Sequence, residues 1–133
     1  MEVANYVSEA GSLVTPEQAE AFRQRLPTLR IKAAGIEADE VPHLSSQVEF
    51  LAQVVEDTLD GRWLSLPYRA LGEAIFALSY VLKADDIIPD AVPDLGFTDD
   101  SSVVRAVLTR FEADFKVFAE DRGIAWRTVS ARP

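Results

Sequence analysis

The segment from Pro67 to Lys83, PYRALGEAIFALSYVLK, is apolar on most sides after its first turn. A helix of this kind is stable in water only when neighbouring elements cover it, so it predicts the central helix of a bundle. Its longest apolar run, AIFALSYVL, is far shorter than the roughly 20 residues that a membrane span requires. We therefore predict a soluble helical protein built around this segment.

Amphipathic segments on either side of this helix would pack against its apolar surface. Between residues 43 and 60, and again between 101 and 121, large apolar residues recur at three- and four-residue steps, which is typical of a helix with one buried face. Thr15 and Pro16 form a helix start, Pro27 interrupts that helix, and a short second helix ends at Gly35. The two long stripes are Leu44, Val48, Leu51, Val55 and Leu59, and Val104, Val107, Leu108, Phe111, Phe115 and Phe118.

No segment alternates with a period of two, so the predicted fold is all-α: a single compact bundle of four to five helices. A chain of 133 residues is most simply one domain. We place the helical domain at residues 15–122. Residues 1–14 lack a clear period and are predicted to be an N-terminal arm, either flexible or a short helix, and residues 123–133 form a C-terminal tail after a helix stop at Gly123.

Charge and composition limit the classes of macromolecule and metal ion that this chain is expected to bind. The chain has 22 acidic and 13 basic residues, a net charge of −9, which opposes binding to nucleic acid and favours a protein partner with a basic patch. It has no cysteine and a single histidine, His43, so any metal would need oxygen ligands, as Mg²⁺, Ca²⁺ and Mn²⁺ do. The mixed, acidic start MEVANYVSEAGS is unlike a secretory signal, and we expect a cytoplasmic protein.

The stretch DDIIPDAVPDLGFTDD, from Asp85 to Asp100, combines six aspartates with two prolines, a glycine and several large apolar side chains. Burying each large apolar side chain contributes about 1.5–3 kcal/mol, so we expect this Asp/Pro-rich loop between the last two long helices to be ordered and packed on the bundle. The prolines prevent a continuous helix, and the glycine permits a positive φ. The residues predicted to shape the loop are Ile87, Ile88, Pro89, Pro93, Gly96 and Phe97.

The aspartates of this loop have two interpretations. Asp99 and Asp100 precede a helix and would cap it, and Asp90 and Asp94 follow proline turns and would form Asx turns. Acids at the carboxyl end of the central helix, by contrast, are disfavoured by about 0.3–1 kcal/mol, so an arginine, loop N–H groups or a cation must compensate them. The calcium-loop spacing is absent, and the favoured interpretation has no cofactor. The candidate divalent-cation ligands are Asp86, Asp90, Asp99 and Asp100, and the candidate interaction surface is Asp85, Asp90 and Asp94.

The region ALSYVLKADDIIPDAVPDLGFTDDSSVV, about residues 78–104, resembles the signature of YkvA-like proteins, a bacterial domain family of unknown function. Ala84 stands where that family usually has its first proline, and Asp94 stands where an apolar residue is common. The resemblance implies a small helical domain and, for many members, membrane association, but it implies no activity or cofactor. The residues that fit the signature are Leu78, Tyr80, Asp86, Ile88, Pro89, Asp90, Pro93, Gly96, Asp99 and Asp100.

Three functions are consistent with these features. The favoured one is a non-catalytic module that binds another protein through its acidic loop. The second is an Mg²⁺- or Mn²⁺-dependent hydrolase in which three of the candidate ligands hold the metal and Arg69 or Arg105 steadies substrate charge, although it lacks an obvious general base. The third, suggested by the resemblance alone, is a peripheral membrane protein with Trp63, Tyr68 and Trp126 at the interface, which an acidic chain disfavours on anionic lipid.

Overall fold

A computed structural model describes residues 3–35, 43–82 and 100–129 of the chain. These ranges contain seven α-helices, two short 3₁₀ turns and no strand, which confirms the predicted all-α class. None of the helices within them is long and apolar enough to cross a membrane. The helices are α1 (Val3–Ser12), α2 (Pro16–Phe22), α3 (Leu26–Ala34), α4 (Leu44–Leu59), α5 (Tyr68–Leu82), α6 (Asp100–Arg110) and α7 (Glu112–Arg122), and the 3₁₀ turns are Arg23–Arg25 and Trp126–Thr128.

Helix α5 lies at the centre of the bundle, as its all-round apolar sequence predicted. Every residue from 70 to 79 is buried, and so is Val81. Its main contacts are with α1, α4 and α6, which surround it. The apolar stripes of α4 and of α6–α7 face the same core, with Val48, Leu51 and Leu108 fully buried. The bundle is therefore held together by one continuous apolar core around α5.

Helix α1 belongs to this core; residues 1–14 had been predicted to form an N-terminal arm, either flexible or a short helix. Tyr6, Val7 and Ala10 are buried, and α1 packs against both α5 and α6. The contact with α5 is a close one, because a Cβ atom at Gly72 would lie only 2.5 Å from the carbonyl oxygen of Gly11. Small residues make this approach possible. The helical signal was present in the sequence, because Val3, Tyr6, Val7 and Ala10 recur at three- and four-residue steps, but only the structure shows that this face is buried against α5.

The long helix predicted over residues 101–121 is two helices in the structure. The chain leaves the α conformation at Phe111, whose φ of −116° and ψ of 33° separate α6 from α7. Periodicity could not show this break, because Phe111 and Phe115 still pack on each other with ring centroids 6.4 Å apart. Acidic Glu112 and Asp114 favour a new helix start. With α1 added, this break raises the helix count of the described ranges above the four to five predicted.

The residues predicted to begin and end helices, Thr15, Gly61 and Gly123, do so in the structure. The Thr15 hydroxyl accepts a hydrogen bond from the Gln18 N–H, and the Gln18 side chain accepts one from the Thr15 N–H, forming a reciprocal capping box at α2. Gly61 and Gly123 follow α4 and α7 with φ values of 77° and 70°, the left-handed region in which glycine carries no Cβ penalty. These stops set the directions in which the chain leaves each helix.

The carboxylate of Asp57 joins the end of α4 to α7. It is 3% exposed and accepts hydrogen bonds from Gln53, from Arg62 Nε at 3.2 Å and from Arg122 Nε at 3.1 Å. The Arg122 guanidinium also lies 4.8 Å from the ring centroid of Phe118. Arginines brought from outside α4 thus offset the acids that crowd its negative carboxyl end.

The close approach of α1 and α5 generates a prediction. A Cβ atom at Gly11 would lie 2.8 Å from the Cα of Glu73 and 2.9 Å from its backbone nitrogen, so the helices must separate to admit a methyl group. We expect Gly11→Ala to lower the free energy of unfolding by about 1–3 kcal/mol, as overpacking usually does. Urea unfolding followed by circular dichroism measures the change.

Gly35→Ala is the matched control for this substitution. Among the described residues, its Cβ atom would meet only the Lys32 carbonyl oxygen, at an ordinary 3.6 Å, and its φ of −91° suits any residue. We expect a change between zero and a gain of about 1 kcal/mol, because alanine restricts the unfolded chain. Equal stability of the two variants would show that α1 and α5 do not depend on this contact.

Candidate functional site

Most residues of the predicted acidic site lie outside the described ranges. The metal-ligand set, the interaction surface and the ordered packing of the loop therefore stay predictions. Asp100 is the first residue of α6, and its side chain also lies outside the description. In the ranges 3–35, 43–82 and 100–129, no group of three or more His, Asp or Glu side chains is arranged to hold a metal ion. The residues outside are Asp85, Asp86, Ile87, Ile88, Pro89, Asp90, Pro93, Asp94, Gly96, Phe97 and Asp99.

The structure does define the two helices that flank the acidic stretch. Val81 is buried near the end of α5, and Val103 and Val104 are buried in the first turn of α6. The two helices pack directly against each other. The stretch between Leu82 and Asp100 is therefore attached at both ends to the bundle core.

A buried carboxylate lies further along α5. Glu73 is 0% exposed, with Arg110 Nε 3.1 Å and Arg69 Nε 3.9 Å from its Oε2 atom. Neither carboxylate oxygen accepts a hydrogen bond within the described part of the chain. Arg69 in turn donates a hydrogen bond to the Ser8 hydroxyl of α1, at 3.1 Å. Three helices thus converge on one acid that is paired in charge but unsatisfied in hydrogen bonding.

The environment of Glu73 changes its acidity. Burial raises the pKa of the Glu73 carboxyl above its ordinary value of 4.5, while the charges of Arg110 and Arg69 act in the opposite direction. A buried carboxylate without hydrogen bonds costs stability, and perturbed acids of this kind concentrate at functional sites. Glu73 was not among the site residues predicted from sequence. The signal was present, because Glu73 interrupts a segment that is apolar on most sides and was predicted to form the central helix.

Asp57 shows what a satisfied buried acid looks like in the same protein. Its two oxygens accept hydrogen bonds from Gln53, Arg62 and Arg122, and its burial is similar to that of Glu73. A fully bonded buried ion pair is an ordinary structural feature. The contrast identifies Glu73 as the buried acid whose role is not explained by folding alone.

A groove between α1 and α6 borders this cluster. Its volume is about 510 Å³, within the range typical of small-molecule sites. Arg110 belongs to both features, since it lines the groove and pairs with Glu73. Arg105, which the sequence analysis proposed as a substrate contact, lines the same groove, whereas Arg69 belongs to the Glu73 cluster. The described residues that line the groove are Ala4, Ser102, Arg105, Ala106, Thr109 and Arg110.

The raised pKa of Glu73 generates a prediction for stability against pH. At pH values between 4.5 and the raised pKa, the Glu73 carboxyl binds its proton more tightly in the folded state than in the unfolded state. The contribution of Glu73 to the free energy of unfolding therefore falls as pH rises through that window and is constant above it. Each unit of elevation corresponds to about 1.4 kcal/mol. Because Gln does not titrate, we expect the stability of the natural chain relative to Glu73→Gln to fall as pH rises from 4 towards 7.

Urea unfolding of both proteins across that pH range measures the difference, in which groups common to both proteins cancel. A difference that moves in favour of the natural chain as pH rises would contradict the prediction. It would mean that the attraction of Arg110 and Arg69 outweighs the cost of removing Glu73 from water.

Comparison with known proteins identifies one similarity. A family model described as "Protein of unknown function (DUF1232)" matches residues 70–105, which include most of α5, the acidic stretch, the start of α6 and Glu73. No curated protein and no solved structure matches the chain. The chain is therefore similar, over this central region, to a family of unknown function, as the sequence resemblance implied, while the narrower YkvA-like designation stays a prediction.

Proposed function

We propose that this chain is a non-catalytic helical domain that binds a basic surface of another protein through the acidic segment, residues 83–100. The observation that supports this most strongly is the charge of that segment. It contains six aspartates and a single lysine in a chain whose net charge is −9, so more than half of the excess negative charge lies in a short stretch. Such a concentration attracts a partner of opposite charge and increases its rate of association.

The arginine pairing in the rest of the bundle supports the proposal. Six arginines in the described ranges have carboxylate partners there, which balance part of their positive charge within the bundle. Arg69 and Arg110 pair with Glu73. The other pairs join Arg23 to Glu20 and Asp60, Arg30 to Glu49 and Glu56, Arg62 to Glu56, Asp57 and Asp60, and Arg122 to Asp57 and Asp121.

The position of the segment also supports an interaction role. It connects α5 to α6, two helices that pack on each other and contribute fully buried side chains to the core. Attachment at both ends restricts the space that the aspartates can explore, and so lowers the entropy lost when a partner binds. A charged segment that is fixed at both ends suits recognition of one basic surface better than a free acidic tail does.

The proposal predicts that binding depends on where the acids lie and not on net charge alone. We expect a fluorescently labelled, lysine-rich helical peptide to bind the protein, with an affinity that falls as salt concentration rises. The double variant Asp90→Asn/Asp94→Asn should weaken binding by about fivefold, because each exposed charge pair contributes about 0.2–1 kcal/mol. Fluorescence anisotropy at low and moderate salt measures the affinities.

The control is Glu9→Gln/Glu120→Gln, which removes the same charge from exposed positions on α1 and α7. It should change the affinity by less than about twofold, since exposed charges farther apart than a Debye length are largely screened. Equal losses in the two double variants would show that only net charge matters and would overturn the proposal. A peptide affinity that does not respond to Asp90→Asn/Asp94→Asn would overturn it as well.

Divalent cations distinguish this function from the metal-dependent alternative. We expect the melting temperature to be the same in Mg²⁺, Ca²⁺, Mn²⁺ and excess chelator. A cation present at 100 times its dissociation constant would add about 2.7 kcal/mol to the native state. In a domain of this size that is a rise of several degrees. Such a rise, lost in Asp86→Asn, would instead favour the predicted metal site.

A further inference from the structure

Two arginines, Arg105 and Arg110, are among the described residues that line the groove between α1 and α6. Its described lining contains two guanidinium groups, two hydroxyl groups and two alanine methyl groups, and no carboxylate. Arg110 pairs with Glu73 on the core side, and its side chain stays partly exposed, so its remaining N–H donors can face the groove. A second hollow, of about 350 Å³ and bordered by Ser45 and Val129, includes the carboxylate of Glu49 and lacks this character.

The lining is built on a firmly held helix face. Ser102, Arg105, Ala106 and Thr109 follow one another at helical spacing, so they form one stripe along α6. The neighbouring stripe of α6 consists of Val103, Val104, Val107 and Leu108, all fully buried. Because the buried stripe fixes the helix, the polar stripe presents its side chains to the groove from a rigid support. Ala4 of α1 lines the same groove.

Arg110 connects the groove to the buried acid. Its side chain is 34% exposed, and its Nε atom lies 3.1 Å from Glu73 Oε2, although the geometry is not that of a hydrogen bond. Glu73 therefore holds the guanidinium in place by charge without accepting its N–H groups. The same negative charge, directly behind Arg110, weakens the attraction of the guanidinium for any anion in the groove.

We propose that this groove is a binding site for a small organic monoanion, a carboxylate attached to a short apolar body. The carboxylate would pair with the Arg110 guanidinium, whose planar donors match it, and would accept a hydrogen bond from the Thr109 hydroxyl. The apolar body would lie along the methyl groups of Ala4 and Ala106. Glu73 is a positioning residue in this site. Among the described residues, the charged groups acting on it are Arg110 from α6 and Arg69 from α5, and Arg69 is held by Ser8 of α1.

Titration calorimetry at neutral pH tests the site, with octanoate as the probe, octanol as its uncharged counterpart and inorganic phosphate as an anion without an apolar body. We expect saturable binding of octanoate and at least about tenfold weaker binding of the other two, since a charge-assisted hydrogen bond contributes about 1.5–3 kcal/mol. Phosphate binding as tight as that of octanoate would overturn the proposal, and so would the absence of octanoate binding at millimolar concentration.

Variants locate the site and separate binding from folding. Arg110→Gln should weaken octanoate binding by about tenfold or more. The control Arg127→Gln removes the same charge from an exposed position near the C-terminus and should leave the affinity within about twofold. Equal effects of the two variants would overturn the assignment.

Glu73→Gln provides a readout that a purely structural role would not produce. It removes the negative charge behind Arg110 while preserving the shape of the side chain, so octanoate should bind about threefold more tightly or better. The double variant Glu73→Gln/Arg110→Gln removes both charges of the buried pair and avoids an unpaired buried acid. It should fold, as circular dichroism would show, and bind octanoate as weakly as Arg110→Gln. Weaker binding by Glu73→Gln alone, or undiminished binding by the double variant, would overturn the proposal.

Discussion

The backbones of α1 and α5 meet at Gly11 and Gly72, and the features of greatest interest in this protein depend on that contact. A side chain at either position would overlap the opposite helix, at 2.5 Å from Glu73 Cγ in one case and from the Gly11 carbonyl oxygen in the other. Because α1 lies so close, Glu73 is shielded from water and the Ser8 hydroxyl reaches Arg69. The same placement makes α1 one wall of the groove beside α6.

Two buried acids of the described ranges, Asp57 and Glu73, differ in their hydrogen bonding. Asp57 accepts hydrogen bonds from two arginines and a glutamine, and this cluster fastens α4 to α7. Glu73 faces two arginines without a hydrogen bond to either of its oxygens in the described ranges. In a low-dielectric interior, a buried carboxylate whose oxygens all accept hydrogen bonds is held rigidly. A buried carboxylate without those hydrogen bonds has a protonation state that responds to its surroundings. This difference is the physical basis for separating a structural cluster from a candidate site.

Charge is unevenly distributed along the chain and across the fold. Arginines on the α3–α4 side are paired with the acids of α4, and this pairing leaves the aspartates of residues 83–100 as the main concentration of negative charge. The groove with its arginines begins at Ser102, directly after that segment. An acidic segment and a basic groove thus lie next to each other in sequence around the start of α6.

Local patterns determined much of the fold. The stripe of α4, the all-round apolar character of α5, the capping box at Thr15 and the stops at Gly61 and Gly123 are readable from sequence because each depends on neighbours along the chain. The break at Phe111 was not, because a bend within a continuous apolar stripe leaves the periodicity unchanged. The apolar spacing of Val3, Tyr6, Val7 and Ala10 was present in the sequence, but a short stripe of this kind does not show which helix will cover it. The sequence alone also determined the excess of aspartate between α5 and α6. Only the tertiary structure decided the state of Glu73, because desolvation and the nearby charge of Arg110 come from helices that are distant in sequence and adjacent only in the folded bundle.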